Sequence, residues 1–287
     1  MNKISRFNPY LMDNNLIIKL NTGREKDFDF VLDIIKKNIK RKDSIQHILI
    51  NGSRGMGKSF FLKLMDIKLN ELNLSDFVLL PEEQVNIYQP VDLIREIKKH
   101  FIKQEHSTSI SNWFPEDNEV WNKEINELEK LMLEVECSHL VVGLENFDLL
   151  LGKGGAFESD ENQYMLREFL TRTTSITLIA TTIYPDLGSD YDKALFHFFA
   201  KHELQAWQEE NHKDYFIKRI KLESSENQRK SELSESQLKA LIKFTGGSPR
   251  ITVIMADILA DNNLDSTTKT LEKVIDDLTP FYQDLLS

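Results

Sequence analysis

Cysteine is nearly absent from this sequence: Cys137 is alone among 287 residues, so no disulfide framework and no cysteine metal site can be built, which fits a reducing cytoplasm. Long apolar runs are missing too. No segment approaches the roughly 18 uninterrupted apolar residues of a membrane span, and the N-terminal "MNKISRFNPYLMDNN" has no apolar core of signal-peptide length. A soluble, cytoplasmic protein with no membrane partner is expected. Positive charge is in deficit, with 36 Lys and Arg against 46 Asp and Glu and a net charge of −10, which argues against general electrostatic adhesion to nucleic acid. Local patches are still available. Lys36, Lys37, Lys40, Arg41 and Lys42 form one, and Arg95, Lys98, Lys99 and Lys103 another, the simplest reading of both being solvated helix faces. The seven histidines show no paired spacing of the kind metal sites use.

What is present is material for a core. An apolar fraction of 40 % with 17 Phe is that of an ordinary globular protein, and the length suits two unequal domains. Residues 25–41 repeat apolar side chains at helical spacing and end in cations. "HILI" (47–50) reads as a buried strand, and 58–72 again has a helical period. "DFVLLP" (76–81) reads as a strand stopped by proline, and 90–104 as a helix with Pro90 near its start. After a polar connector at 105–119 come an amphipathic helix near 118–136, a strand at 139–144, a helix at 161–173, a strand at 176–182 and a fifth strand at 201–204. Strands alternating with helices predict a parallel α/β sheet. Beyond Trp207 the pattern changes: 208–222, 234–245, 249–262 and 268–286 all fit helices, with Ser- and Glu-rich breaks between them. The expected organisation is an α/β domain over 1–205 and a small all-helical domain over 206–287.

One stretch carries chemistry. Gly52-Ser53-Arg54-Gly55-Met56-Gly57-Lys58-Ser59 matches G-x-x-x-x-G-K-[ST], with Phe60 directly after it, and it lies between a strand and a helix as that pattern requires. Glycines there let successive backbone N–H groups turn inward around phosphate oxygens at a helix start. Lys58 would reach the β- and γ-phosphates and Ser59 would ligate Mg²⁺. A second Mg²⁺ contact is expected from an acidic residue ending another buried strand, and "HLVVGLENFDLLL" supplies Glu145, followed by Asn146 and Asp148. "ITLIATT" ends in Thr181 and Thr182, hydroxyls placed to sense a γ-phosphate or attacking water. In "FTGGSPRITVIMADIL", Gly246 and Gly247 break one helix, Ser248 caps the next, Pro249 suits its first position and Arg250 projects from its first turn. An arginine at that end opposes the helix dipole, which is a reason to expect an anionic partner.

The order of Gly23-Arg24-Glu25, the loop at 52–59, "VVGLENFDLLL", "LIATT", "FHFFAKHELQAW" and "TGGSPR" resembles the AAA+ superfamily, and within it the prokaryotic ATPases similar to origin-recognition and signal-transducing (STAND) proteins. The resemblance covers residues 7–286. It implies a P-loop NTPase with a five-stranded parallel sheet flanked by helices, a small helical lid domain, and ATP or ADP with Mg²⁺ between them. It implies Walker A at 52–59, Walker B ending at Glu145, sensor 1 at Thr181 or Thr182, sensor 2 at Arg250, and Gly23, Arg24 and Glu25 near the adenine.

The departures from the family pattern bear on activity. Where such families commonly have Asp-Glu after the Walker B strand, this chain has Glu145-Asn146, and an amide cannot take a proton, so Asp148 or another chain would have to supply a base. "HFFAKHELQ" offers Lys201 where oligomeric relatives often carry an arginine finger, with Arg167 and Arg172 as substitutes. The expectation is an ATP-binding, Mg²⁺-dependent switch ATPase of slow turnover, acting through a protein partner or a homo-oligomer. An initiator- or loader-like DNA-binding ATPase and a non-hydrolysing nucleotide-bound scaffold are the alternatives. The C-terminal "LTPFYQDLLS" resembles the point just before a further domain in similar proteins.

Overall fold

Three runs dominated by aliphatic and β-branched residues, with no charged position between them, have to be covered on both faces. They form the middle of a single sheet. In the computed structural model, which describes residues 8–41, 44–81, 86–102, 118–227 and 235–261, the strands are β1 (His47–Asn51), β2 (Asp76–Leu80), β3 (Leu140–Leu144), β4 (Ile176–Thr182) and β5 (Phe199–Glu203). The helices are α1 (Asn14–Leu20), α2 (Glu25–Lys40), α3 (Lys58–Glu71), α4 (Pro90–Lys99), α5 (Asn118–Glu134), α6 (Phe147–Leu151), α7 (Asp160–Arg172), α8 (Glu209–Asn227), α9 (Glu235–Thr245) and α10 (Pro249–Asp261), after a 3₁₀ turn at Pro9–Leu11.

The chain packs as two compact units, and the division is not a single cut. One unit holds the described residues within Met1–Lys26, Arg54–Phe60 and Gln205–Ser287, and the other those within Asp27–Ser53 and Phe61–Leu204.

The second unit contains the sheet, in the order β2-β3-β4-β1-β5 with every pair parallel. All of β3 and β4 is buried, whereas the edge strand β5 alternates and leaves Lys201 and Glu203 exposed. Charged positions on an edge discourage further strand pairing. Leu49, Val78, Val142 and Leu178 join Ile94 of α4, Trp121 and Leu128 of α5, and Phe169 of α7 in one apolar cluster. Val31 and Ile35 of α2 and Phe61 and Met65 of α3 are buried as well, with the rings of Phe28 and Phe61 edge to face at 5.8 Å.

Beneath this apolar packing lies a polar seam. Asn38 donates to the Gln46 carbonyl and to the Thr177 hydroxyl at 2.9 Å each, and His139 Nε2 lies 2.9 Å from that same hydroxyl. Leu178 N–H donates to His47 Nδ1 at 3.1 Å, so the ring's other nitrogen carries the proton and donates to the Leu170 carbonyl at 3.1 Å. Burial lowers the pKa of both His47 and His139 to about 4.

The other unit is helical. Arg219 of α8 and Asp257 of α10 form a buried ion pair, Nε to Oδ1 2.8 Å, and His212 Nδ1 lies 2.6 Å from the Thr252 hydroxyl.

Most elements fall where the hydrophobic periods place them. β5 begins at Phe199, two residues before the expected start, and α4 ends at Lys99. The short helices α1 and α6 are additions to the expected set. Lys42, Lys103, most of the 105–119 connector, the expected helix over 268–286 and the C-terminal "LTPFYQDLLS" lie outside the described residues.

Candidate functional site

Because every strand is parallel, all five carboxyl ends share one edge of the sheet, the edge where open α/β sheets bind ligands. Register puts Asn51 beside Thr182 and Leu144 beside Ala180. Gly52 follows β1 and donates its N–H to the Thr182 carbonyl at 3.3 Å. Glu145 follows β3, is 7 % exposed, and its N–H donates to the Leu80 carbonyl at 3.0 Å, extending the ladder by one residue. Asn146 then turns the chain with φ 46° and ψ 49°, a left-handed conformation that Asn tolerates better than most residues, and begins α6.

Side chains knit this edge together. Asn146 N–H donates to Thr181 Oγ1 at 3.1 Å, Ile183 N–H to Asp148 Oδ1 at 3.3 Å, and Tyr184 N–H to Thr182 Oγ1 at 3.0 Å. Glu145, Asn146, Asp148, Thr181 and Thr182 are thus gathered on one edge of the sheet unit. Successive strand residues face opposite ways. It is Thr181 that meets the exit of β3, while the Thr182 oxygen closes its own turn. One oxygen of Asp148 is engaged in fastening the exit of β4.

The phosphate-loop residues from Arg54 to Phe60 pack in the helical unit. Gly55 and Gly57 have φ of 85° and 88°, values that exclude ordinary side chains, and a Cβ built on Gly57 meets nothing within 4 Å. Gly55 C=O accepts from the backbone N–H of Arg250 at 3.2 Å. Met56 C=O accepts from Arg24 Nη2 at 2.8 Å, and Arg24 Nη1 donates to the Gln205 carbonyl at 3.0 Å. Arg24 is 5 % exposed and Lys58, the first residue of α3, 9 %. Ser59 and Phe60 follow in the first turn of α3, half-buried. Gly23, also with positive φ, lies against the Asn211 side chain.

Ser248 accepts from Ile251 N–H at 3.4 Å at the start of α10. The half-buried Arg250 has its pKa lowered by burial and then by the guanidinium of Arg54. An arginine at the start of α10, beside a loop bent by glycines that carries a second arginine, suits an anion better than it suits its own helix dipole. No group of three or more His, Cys, Asp or Glu able to hold a metal occurs among the described residues.

Three solved structures share this architecture. The Orc1 protein of Aeropyrum pernix, solved in complex with DNA, superposes with a TM-score of 0.63 at 11 % identity over 96 % of this chain and 71 % of its own. A Walker-type ATPase of Pyrococcus abyssi gives 0.60 at 15 % over 93 % and 75 %, and domain III of the Thermotoga maritima replication initiation protein DnaA gives 0.55 at 14 % over 92 % and 98 %. The fold is that of an AAA+ P-loop NTPase. No protein-family model matches the sequence, and no curated protein matches it.

On this AAA+ fold the remaining cationic candidates are engaged locally. Arg167 donates to the Ala194 carbonyl and lies over the Phe198 ring, 5.2 Å from its centroid. Arg172 reaches Asn122 and Asn126 at 3.4 and 3.5 Å, and Lys201 Nζ lies 2.6 Å from Ser189 Oγ. In the 95–103 patch, Arg95 and Lys98 both pair with Glu124, and Lys98 also with Glu127. Lys37 pairs with Asp33. The Arg24 bridge to Met56 and Gln205 had no sequence signature, because its partners are main-chain carbonyls 32 and 181 residues away.

Proposed function

We propose that this protein is an ATP-binding, Mg²⁺-dependent switch ATPase of slow turnover, whose nucleotide state controls assembly or partner binding. The observation that carries this reading is the packing of Arg250 against Gly55, in a loop that includes Arg54 and whose Gly55 and Gly57 hold positive φ just before α3. Phosphate is the ligand that glycine-exposed N–H groups and clustered cations recognise together. In this reading Lys58 and Arg250 would hold the β- and γ-phosphates, Ser59 and Glu145 would be the residues to hold magnesium, and that ion would supply neutralisation of charge on the phosphoryl group. Glu145 acts through a water, and Thr181 or Thr182 orients the γ-phosphate side.

Slow turnover follows from Asn146, an amide where a proton acceptor is needed. That residue also supports a second reading, a scaffold that keeps its nucleotide. A DNA-binding initiator or loader is motivated by the Orc1 and DnaA structures, but Arg95 and Lys98 spend their charge on Glu124 and Glu127 rather than offering it to phosphates. ATP-dependent DNA binding with a steep salt slope would favour it.

Single-turnover hydrolysis with Mg²⁺, with Lys58→Ala as control, tests the proposal. Wild-type turnover that the variant lacks supports the switch ATPase. Tight binding without turnover transfers support to the scaffold, and binding and turnover both unchanged in Lys58→Ala remove the reading.

A further inference from the structure

A phosphate loop works only if its N–H groups, and not its carbonyls, face the anion. The two peptides at the bend of this loop are held by donors of the helical unit. In a trans peptide the C=O and N–H point in opposite directions. The Met56 carbonyl is bonded by Arg24 Nη2 at 2.8 Å, which turns the Gly57 N–H to the opposite side of the loop. The Gly55 carbonyl is bonded by the Arg250 N–H at 3.2 Å, which turns the Met56 N–H away in the same manner. A planar guanidinium can bridge two carbonyls with separate nitrogens, and Arg24 does so, its second nitrogen donating to Gln205 at the start of the segment leading into α8.

We infer that Arg24 is a positioning residue for the phosphate loop: it fixes the Met56–Gly57 peptide so that the Gly57 N–H faces phosphate, and it does not read the adenine. The inference rests on the ATP-binding reading above and assigns Arg24 a role different from the one its sequence neighbourhood implies. Its buried guanidinium spends both terminal nitrogens on main-chain oxygens. Without it the Met56 carbonyl is released to swing toward the anion and repel it. Lysine, with a single ammonium on a flexible stem, can restore one bond but not the bridge.

The test is calorimetric titration of the full chain with ATP and with inorganic triphosphate, each with Mg²⁺, for wild type, Arg24→Gln and Arg24→Lys. All titrations are run well below each protein's unfolding midpoint. Arg24→Gln is expected to weaken ATP and triphosphate by the same factor, about tenfold or more, the weight of one charge-assisted hydrogen bond. Arg24→Lys should lie between it and wild type for both ligands. Loss of ATP affinity with triphosphate affinity intact would make Arg24 a base contact and overturn the inference, as would unchanged affinity for both. If Arg24→Gln does not fold, the Arg24→Lys comparison decides by the same criterion. Wild-type protein that binds neither ligand would instead overturn the ATP-binding reading itself, a distinct outcome.

Discussion

The backbone N–H of Asn146 donates to the hydroxyl oxygen of Thr181 at 3.1 Å, fastening the exit of β3 to the end of β4. Thr181 is 1 % exposed, so little water stands ready to replace it. Thr181→Val keeps the shape and removes the acceptor. It is expected to cost about 1–3 kcal/mol in a denaturant-unfolding measurement, with Thr181→Ser, which keeps the acceptor, avoiding most of that loss. A Val variant as stable as wild type would show this bond to be immaterial.

Asn146 occupies a left-handed turn that Asp accepts about as readily. Asn146→Asp therefore supplies a proton acceptor without backbone cost. If the missing base limits turnover, the single-turnover rate should rise at least about tenfold, within the usual range for general-base catalysis. An unchanged rate would place the limit elsewhere.

Acid should weaken this protein through two histidines. His47 and His139 are kept neutral by burial, with pKa values of about 4 against 6.5 for exposed histidine, and their mutual repulsion further disfavours charging His47. The unfolded chain binds protons that the native one refuses, so stability is full above about pH 6.5 and falls as pH drops from there toward 4. The loss is bounded at about 3 kcal/mol per histidine. Urea midpoints at pH 7.5 and pH 4.5 measure it, and His139→Gln should flatten the decline. A decline that this variant leaves unaltered would count against His139.

The buried pair of Arg219 and Asp257 makes opposite predictions for one and for two substitutions. Asp257→Leu removes the carboxylate that faces a buried guanidinium and should cost about 3–5 kcal/mol. Arg219→Met combined with Asp257→Leu should recover most of that. Thermal unfolding of the three proteins separates this from simple loss of packing, which would make the double variant worse.

The sheet was readable in advance for a physical reason. "HILI", "LVVGL" and "ITLIATT" are short runs dominated by aliphatic and β-branched residues without a charged position, a pattern that suits parallel strands covered on both faces. Their spatial order was not readable, because helical crossovers of similar length permit many arrangements. The helices α1 and α6, of seven and five residues, are too short to display a period. Of the candidate site, the placement of the glycine loop between β1 and α3 followed from local pattern. The fastening of Asp148 to Ile183, and of Arg24 to Met56 and Gln205, did not, since a main-chain acceptor leaves no trace in the identity of its residue.

The loop's membership in the helical unit also bears on how such a chain can be recombined. Residues 54–60 pack with stretches near positions 24, 205 and 250, so the piece that would have to move together is discontinuous in the gene. A graft that exchanged only the segment after residue 204 would bring in a foreign Gln205 and Arg250 beside a resident Arg24. Compatibility across that seam, rather than similarity within the sheet, would decide whether the hybrid still holds the loop in this bend.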